Sequence, residues 1–438
     1  MRPLVRVLVN TIIRRPTFEI AGTLIILFTA AGCNVGMAAG TITNDAQVPS
    51  YTLPDPLICQ DGTRVTNAQM WREQRRPELL HLFENEEYGK TLLGRPENLK
   101  FVLRAEKKDA RGGKATRLRV GVLFEGKEDG RQMELLIYLP NNVKGQVPVF
   151  LGFNFDGNYT TSDEPDIPLP KHYAMGLYAN RLIKNIPTEA GRGIHQSMWQ
   201  YDLALAHGYG VVTAGYGEVE PDANGHWKEG PRGLGPEPGA KDWGCIGAWA
   251  WAYSRALDYL ETNPRVDPKR VALIGFSRLG KTAMWAGAQD ERFALLVSNN
   301  SGAGGVALHK RIFGETVANL MGNLGRWFCP DFRQYATNEA ALPIDQHELV
   351  ALIAPRPVLI VSGTEDFWSD PKGEYLGGLG ADPVYRLLGT DGLAKKEWPA
   401  PGQLVDSRIG YFMHAGRHDV TLEDWQAMVT YTDKYLKK

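Results

Sequence analysis

The chain has 438 residues, enough for one large domain with a complete hydrophobic core or for two smaller ones. Charged residues make up 23% of it and nearly cancel, giving a formal net charge of -1, which excludes the basic footprint of a nucleic-acid-binding protein. Eleven Trp and seventeen Tyr are more informative, because flat aromatic faces suit sugar rings and aryl groups, although most of them belong in a core.

At the N-terminus, Arg2, Arg6, Arg14 and Arg15 precede an apolar run from Ile20 to Ala31, followed by small residues through Ala39. The run is too short to span a bilayer, and the order of segments is that of an export signal, expected over residues 1–38. The expected location is therefore periplasmic, outer-membrane lipoprotein or secreted. "TAAGC", ending at Cys33, is close to a bacterial lipoprotein box but has Ala30 where leucine is usual. A lipid anchor at Cys33 and cleavage near Ala38 both stay open. Cys59, Cys245 and Cys329 then remain, too few for a disulfide framework, although one bridge is permitted in an exported protein. No Cys/His spacing specifies a structural zinc, and "HDV" and "HEL" occur without H-E-x-x-H.

Residues 45–438 are expected to form a single catalytic domain, since no repeat, low-complexity tract or linker divides them. "MWREQRRPELLHLFENEEY", Met70 to Tyr88, has helical periodicity despite Pro77. Arg117 to Phe124 and Met133 to Leu139 alternate apolar and polar residues and read as an antiparallel edge hairpin. Continuous apolar runs follow: "VPVFLGF", "YGVVTAGY", "RVALIGF", "ALLVSNN", "PVLIVSG" and "IGYFMHAG", with helical stretches such as Ile246 to Leu260 between them. Continuous apolar strands alternating with helices predict a mainly parallel sheet covered on both faces, a three-layer αβα sandwich. Two Gly/Pro-rich insertions, around Thr160 to Gly193 and Tyr216 to Ala240, read as rim loops.

Ligands bind beyond the carboxyl ends of the strands in such sheets, and Ser277, Asn300, Asp366 and His418 all lie just after predicted strands. "VALIGFSRLGKTAMWAGA" passes from strand through Gly275-Phe276-Ser277 straight into a helix, as in a nucleophile elbow. The usual motif is G-x-S-x-G, whereas here Leu279 stands at +2 and Gly280 one place later. A serine needs a base, and the base needs a partner to fix its tautomer. The order nucleophile, acid, histidine found in α/β-hydrolases is met by Ser277, Asp366 and His418. His414 competes for the base, and Glu365 and Asp370 compete for the acid. The N–H of Arg278 at the helix start is one candidate oxyanion donor, and the "GFNFDG" loop near Phe155 is the candidate for a second. Lys281, a cation in the first helical turn, opposes the helix dipole and fits either a polar or acidic substrate or a paired carboxylate.

"GFSRLGK", "SNNSGAGG", "RIFGETV", "RWFCPDF", "LPIDQHELVALIAPRPVL", "TEDFWSDP" and "GRHDVTLEDW" resemble the bacterial branch of the glucuronoyl esterases, from about Trp71 to Trp425. The resemblance implies an α/β-hydrolase fold and hydrolysis of esters between 4-O-methyl-glucuronate of xylan and alcohols, including those of lignin. It implies that Ser277 is the nucleophile, His418 the base and Arg278 the arginine facing the oxyanion, with Lys281, Glu315 and Trp368 contacting the sugar. Many members carry a glutamate after the strand that follows the nucleophile, where this chain has Asn300; others place the acid at the position of Asp366, which is expected here. Phe276 replaces the cysteine of fungal members, so their disulfide beside the nucleophile cannot form. The expected partner is a glucuronoxylan or lignin–carbohydrate ester, bound by a monomer that needs no metal or organic cofactor. An acetyl or feruloyl carbohydrate esterase, and a non-catalytic sugar-binding relative that has lost its acid, are the competing readings.

Overall fold

The apolar runs of the sequence become the inner strands of one nine-stranded sheet in the computed structural model, which describes residues 41–170 and 187–437. The expected export signal with Cys33, and residues 171–186 of the first insertion, lie outside the described residues. The strands are β1 (Lys100–Ala110), β2 (Ala115–Leu123), β3 (Gln132–Pro140), β4 (Val147–Asn154), β5 (Gly210–Gly215), β6 (Val266–Phe276), β7 (Leu295–Asn299), β8 (Val358–Gly363) and β9 (Ile409–His414). Their spatial order is β1-β2-β3-β5-β4-β6-β7-β8-β9. From β5 to β9 all pairings are parallel, and β1 to β3 join antiparallel at one edge. β4, β5, β7, β8 and β9 are buried at every residue, as strands covered on both faces must be.

Phe150 and Phe153 show the layers directly. Residues three apart on a strand point to opposite faces. Phe150 meets Trp425 at 5.5 Å between ring centroids, and Phe153 stacks on Tyr253 at 3.9 Å. Counting α-helices of six residues or more, α1 is Arg76–Phe83, α2 Tyr201–Ala206, α3 Cys245–Leu260 and α4 Arg278–Gln289. After them come α5 (Val317–Asn323), α6 (Gln346–Ile353), α7 (Pro371–Leu387) and α8 (Leu422–Leu436). Tyr253 belongs to α3 and Trp425 to α8, so these two helices cover opposite faces and the predicted αβα layering holds.

β1 was not expected as a strand. Its sequence, KFVLRAEKKDA, lacks clean alternation because an outer strand meets solvent along one side and is protected from further pairing by charge. The Met70–Tyr88 segment is helical but switches between α and π turns, and Pro77 belongs to α1, which follows directly on the π turn Trp71–Arg75. Tyr88 at its end stacks on Trp285 of α4 at 4.5 Å, tying this segment to the helix that follows the elbow. Cys59, Cys245 and Cys329 are buried free thiols, so the permitted bridge is absent among the described residues. No helix of the described residues is long and apolar enough to cross a membrane.

Candidate active site

Ser277 sits between β6 and α4 with φ 57° and ψ -128°, a backbone that a residue with a Cβ adopts only when its surroundings hold it. Three features hold it. Its N–H donates to Asn299 O at 2.9 Å, and its carbonyl accepts from the N–H groups of Gly280 (2.8 Å) and Lys281 (3.2 Å). A Cβ at Gly275 would lie 2.0 Å from the carbonyl oxygen of Leu279, so only glycine lets the helix fold back over the strand. The result is a half-buried serine on a sharp turn at the carboxyl edge of the sheet.

His418, on the loop after β9, stacks its ring on Phe276 at 4.6 Å, which sets it beside the elbow. Its Nδ1 is 2.6 Å from Asp366 Oδ2 and 3.4 Å from Ser369 Oγ. Asp366 is 4% exposed. Burial alone would raise its pKa, but His418 and the hydrogen bonds from His418 and Ser369 outweigh that and hold the carboxyl below its ordinary value. The pair leaves Nε2 as the ring nitrogen for proton transfer. The competitors are occupied elsewhere. His414 is buried between Asp424 (2.9 Å) and the carbonyl of Arg417 (2.9 Å). Glu365 is exposed beside Arg417, and Asp370 binds Arg311 while capping α7.

Among the described residues the Asn300 side chain makes no hydrogen bond to His418. Its side-chain oxygen accepts from Gly363 N at 2.8 Å and its amide donates to Asp419 O at 3.0 Å and Asn299 Oδ1 at 2.7 Å. The residue thus stitches the ends of β7 and β8 to the loop carrying His418. An amide suits this task because it offers both a donor and an acceptor.

Arg278 is buried, with its guanidinium 4.6 Å from the Trp327 ring centroid and 5.8 Å from that of Phe155. Its Nη1 donates to Asp222. Asp222 also accepts from Arg326 (2.7 Å), Trp327 Nε1 (2.8 Å) and Tyr216 (3.1 Å). Burial works against ionisation of Asp222, but the two guanidinium groups and the indole N–H win and keep its pKa depressed. Sequence reasoning passed over Asp222 and Arg326, because their distance from Ser277 along the chain hides a contact made only on folding.

Lys281 is 3% exposed and all three of its protons have acceptors: Ser301 O at 2.7 Å, Ala303 O, and Glu315 Oε2 at 2.6 Å. Its charge is thus matched by Glu315 rather than left unpaired. Glu315 Oε1 accepts from Trp368 Nε1 at 3.1 Å, so Lys281, Glu315 and Trp368 form one hydrogen-bonded wall. A second His–Asp pair joins His195, on the loop before α2, to Asp156 of the "GFNFDG" loop after β4 at 2.6 Å; the sequence marked that loop but not this pairing. The described residues hold no cluster of three or more His, Cys, Asp or Glu side chains arranged to bind a metal ion.

A mainly parallel sheet with a serine elbow and a His–Asp pair at its carboxyl edge is the architecture of the α/β-hydrolases. Residues 238–389 match the family model of glucuronyl esterases from fungi. The chain is 48% identical over 400 residues to the carbohydrate esterase MZ0003 from an unidentified prokaryote, covering 90% of this chain and 91% of that one. It superimposes on the glucuronoyl esterase of Solibacter usitatus with a TM-score of 0.83 at 41% identity, covering 89% and 99% of the two chains. It is 27% identical over 377 residues to the 4-O-methyl-glucuronoyl methylesterase of Schizophyllum commune, covering 83% and 81%. The chain belongs to the bacterial glucuronoyl esterase family of carbohydrate esterases.

Proposed function

We propose that the protein is a serine carboxylic-ester hydrolase that cleaves esters of 4-O-methyl-glucuronic or glucuronic acid, as in lignin–glucuronoxylan linkages. The observation that carries this reading is the Asp366–His418 pair at 2.6 Å beside an elbow serine. Next to it stands the wall of Lys281, Glu315 and Trp368. His418 removes the Ser277 proton through Nε2 while Asp366 fixes the tautomer and balances the imidazolium. Ser277 Oγ attacks the ester carbonyl. The N–H of Arg278 at the start of α4, with its guanidinium behind, stabilises the oxyanion. His418 returns the proton to the departing alcohol, and water then releases glucuronate from the acyl-enzyme.

Lys281 acts through Glu315 in this scheme. Its ammonium holds the carboxylate and the carbonyls of Ser301 and Ala303 in place, and Glu315 offers the sugar hydroxyls its remaining acceptor capacity while Trp368 offers its ring. The arginines and apolar run at the start of the chain support export and action outside the cytoplasm, with Cys33 as the anchoring residue if the protein is lipidated.

Initial rates on benzyl esters of glucuronate and galacturonate, and on acetylated xylan, test the assignment. Glucuronate ester turnover is expected to dominate, and Ser277→Ala is expected to abolish it while leaving the thermal melt intact. Near-normal turnover in that variant would overturn the mechanism. Faster release of acetate than of glucuronate would select the acetyl esterase reading instead.

A further inference from the structure

Phe155 and Asp156 are neighbours in the "GFNFDG" loop after β4, and their side chains meet different parts of the molecule. The Phe155 ring packs on the elbow. It meets Phe276 edge-on at 5.8 Å and Tyr216 at 5.7 Å, and the Arg278 guanidinium lies 5.8 Å from its centroid. Asp156 turns instead to His195, with Oδ2 2.6 Å from Nε2. Both members of this pair are buried. Among the described residues Asp156 Oδ1 makes no hydrogen bond, so the bond to His195 is what orients the carboxylate.

His195 is mounted on the same loop. Its N–H donates to Thr160 O at 2.8 Å, and Gly193 N donates to Tyr159 O at 3.0 Å. Other ties hold the loop on either side of the two residues: Asn154 Nδ2 donates to Thr213 Oγ1 at 3.0 Å, and Gly157 N to Asn154 Oδ1 at 2.8 Å. Between the loop and the elbow lies a cavity with about 510 Å3 of empty space, lined by Phe155, His195, Phe276, Asn299, Val420 and Trp425 among others. Side chains that border a void lack partner atoms on that side, so packing holds them less firmly. Phe155 and Phe276 both border this one, and Phe276 bears the stacked ring of His418. What packing leaves loose, a short charge-assisted hydrogen bond can fix.

We propose that Asp156 and His195 are positioning residues of the esterase: their bond fixes the loop so that the Phe155 ring keeps the Arg278 guanidinium aimed at the developing oxyanion. Asp222 anchors that guanidinium through Nη1, and the Phe155 ring limits how far it can tilt. The proposal rests on the oxyanion role given to Arg278 above, and not on which acid the ester contains.

The test uses His195→Leu, which breaks the bond while keeping a bulky side chain, and His195→Gln, which can still donate to Asp156. Each is assayed on benzyl glucuronate and on p-nitrophenyl acetate, whose acyl group is too small to reach the wall of Lys281, Glu315 and Trp368. Rates are expressed per serine titrated with a phosphonate, so that unfolded protein does not count. His195→Leu is expected to lower kcat about 10- to 100-fold on both esters, with KM for benzyl glucuronate unchanged. His195→Gln is expected to recover most of that loss. If the stranded carboxylate prevents His195→Leu from folding, the double variant Asp156→Asn, His195→Leu removes the charge and is expected to show the same loss. An unchanged kcat per site, with only the melt lowered, would make the pair a structural clamp and overturn the proposal. So would a His195→Gln protein no better than His195→Leu, or a rise in KM at constant kcat, which would assign the pair to sugar binding. A wild type that turns over p-nitrophenyl acetate but not benzyl glucuronate would overturn the glucuronoyl reading, while the acetate rates would still decide the role of the pair.

Discussion

Asp366 and Asn300 occupy the two places where an acid partner for His418 could stand, and their surroundings assign them different work. Asp366→Asn keeps the shape but removes the charge that fixes the tautomer and balances the imidazolium. Turnover is expected to fall about 1,000- to 10,000-fold. Asn300→Ala strips a buried junction of an acceptor for Gly363 N and a donor to Asp419 O. It should cost about 1–3 kcal/mol of stability and much less in kcat. Steady-state kinetics with denaturant melts on both variants would check this, and the reverse ranking would mean the acid is misassigned. Asp222 raises a further case. Asp222→Ala leaves the Arg278 and Arg326 guanidiniums facing each other without their carboxylate, and is expected to destabilise the fold by about 3–5 kcal/mol. Asp222→Asn retains acceptor and donor geometry, and should lower kcat more than it raises KM if it aims Arg278 at the transition state. Equal activity to wild type would leave Asp222 a purely structural partner. Ser277, Asp366 and His418 were legible beforehand because each follows an apolar run at a known end of the sheet. Asp222 was not, because nothing in a Gly/Pro-rich stretch distinguishes the carboxylate that will be buried.

At the level of elements, the elbow depends on glycines more than on the serine. The sequence departs from G-x-S-x-G by carrying its second glycine at Gly280, and α4 shows why that position serves. A Cβ on Gly280 would come within 3.0 Å of Ser301 Cβ and 3.1 Å of Gly275 O. Gly287, two turns further on, faces Leu296 of β7, with its added Cβ 2.7 Å from Leu296 Cδ1. Together they let α4 lie close on the sheet. Gly275 and Gly287 should differ in sensitivity. Gly275→Ala meets fixed backbone at 2.0 Å and is expected to prevent the elbow from forming, giving little folded protein. Gly287→Ala meets side chains rather than backbone, those of Leu296 and Ile353, and should cost about 1–3 kcal/mol while keeping activity. Expression and thermal melts of the two variants would decide, and an active, stable Gly275→Ala protein would contradict the geometry.

Across the whole molecule, the balance of buried carboxylates sets the response to pH. Glu374 of α7 is fully buried, accepting from Ser301 N at 2.6 Å, Gly302 N at 3.0 Å and Ser362 Oγ at 2.6 Å. Burial prevails over those bonds and pushes its pKa to about 8. Glu339 is raised to about 7, again mainly by burial. A carboxyl with a raised folded pKa binds its proton more tightly when folded. Its contribution is complete below the ordinary value and is lost as pH rises through the folded value. Asp366 and Asp222, with depressed values, contribute above their ordinary range and lose that contribution only as pH falls below it. The melting temperature should therefore fall steadily from about pH 5 to about pH 8. Glu374→Gln should flatten the fall, since the amide keeps an acceptor for Ser301 N and Gly302 N and can donate to Ser362. A melting temperature that rises over this interval, or a slope unchanged in Glu374→Gln, would refute the assignment.

What the sequence determined by itself was local or periodic. Continuous apolar runs specified strands buried on both faces, and a strand meeting a helix through Gly-Phe-Ser specified the elbow. The placement of Asp366 and His418 after late strands specified a common edge. These follow from backbone sterics and from the hydrophobic period, which act over a few residues. The tertiary structure alone decided which of the available carboxylates and histidines pair. It gave His414 to Asp424, turned Asn300 into a strand junction and closed Lys281 on Glu315. It also chose Asp222 as the partner of Arg278 across 56 residues of chain. Such choices depend on distances and desolvation that exist only once the sheet has brought its strand ends together, so no local pattern can encode them.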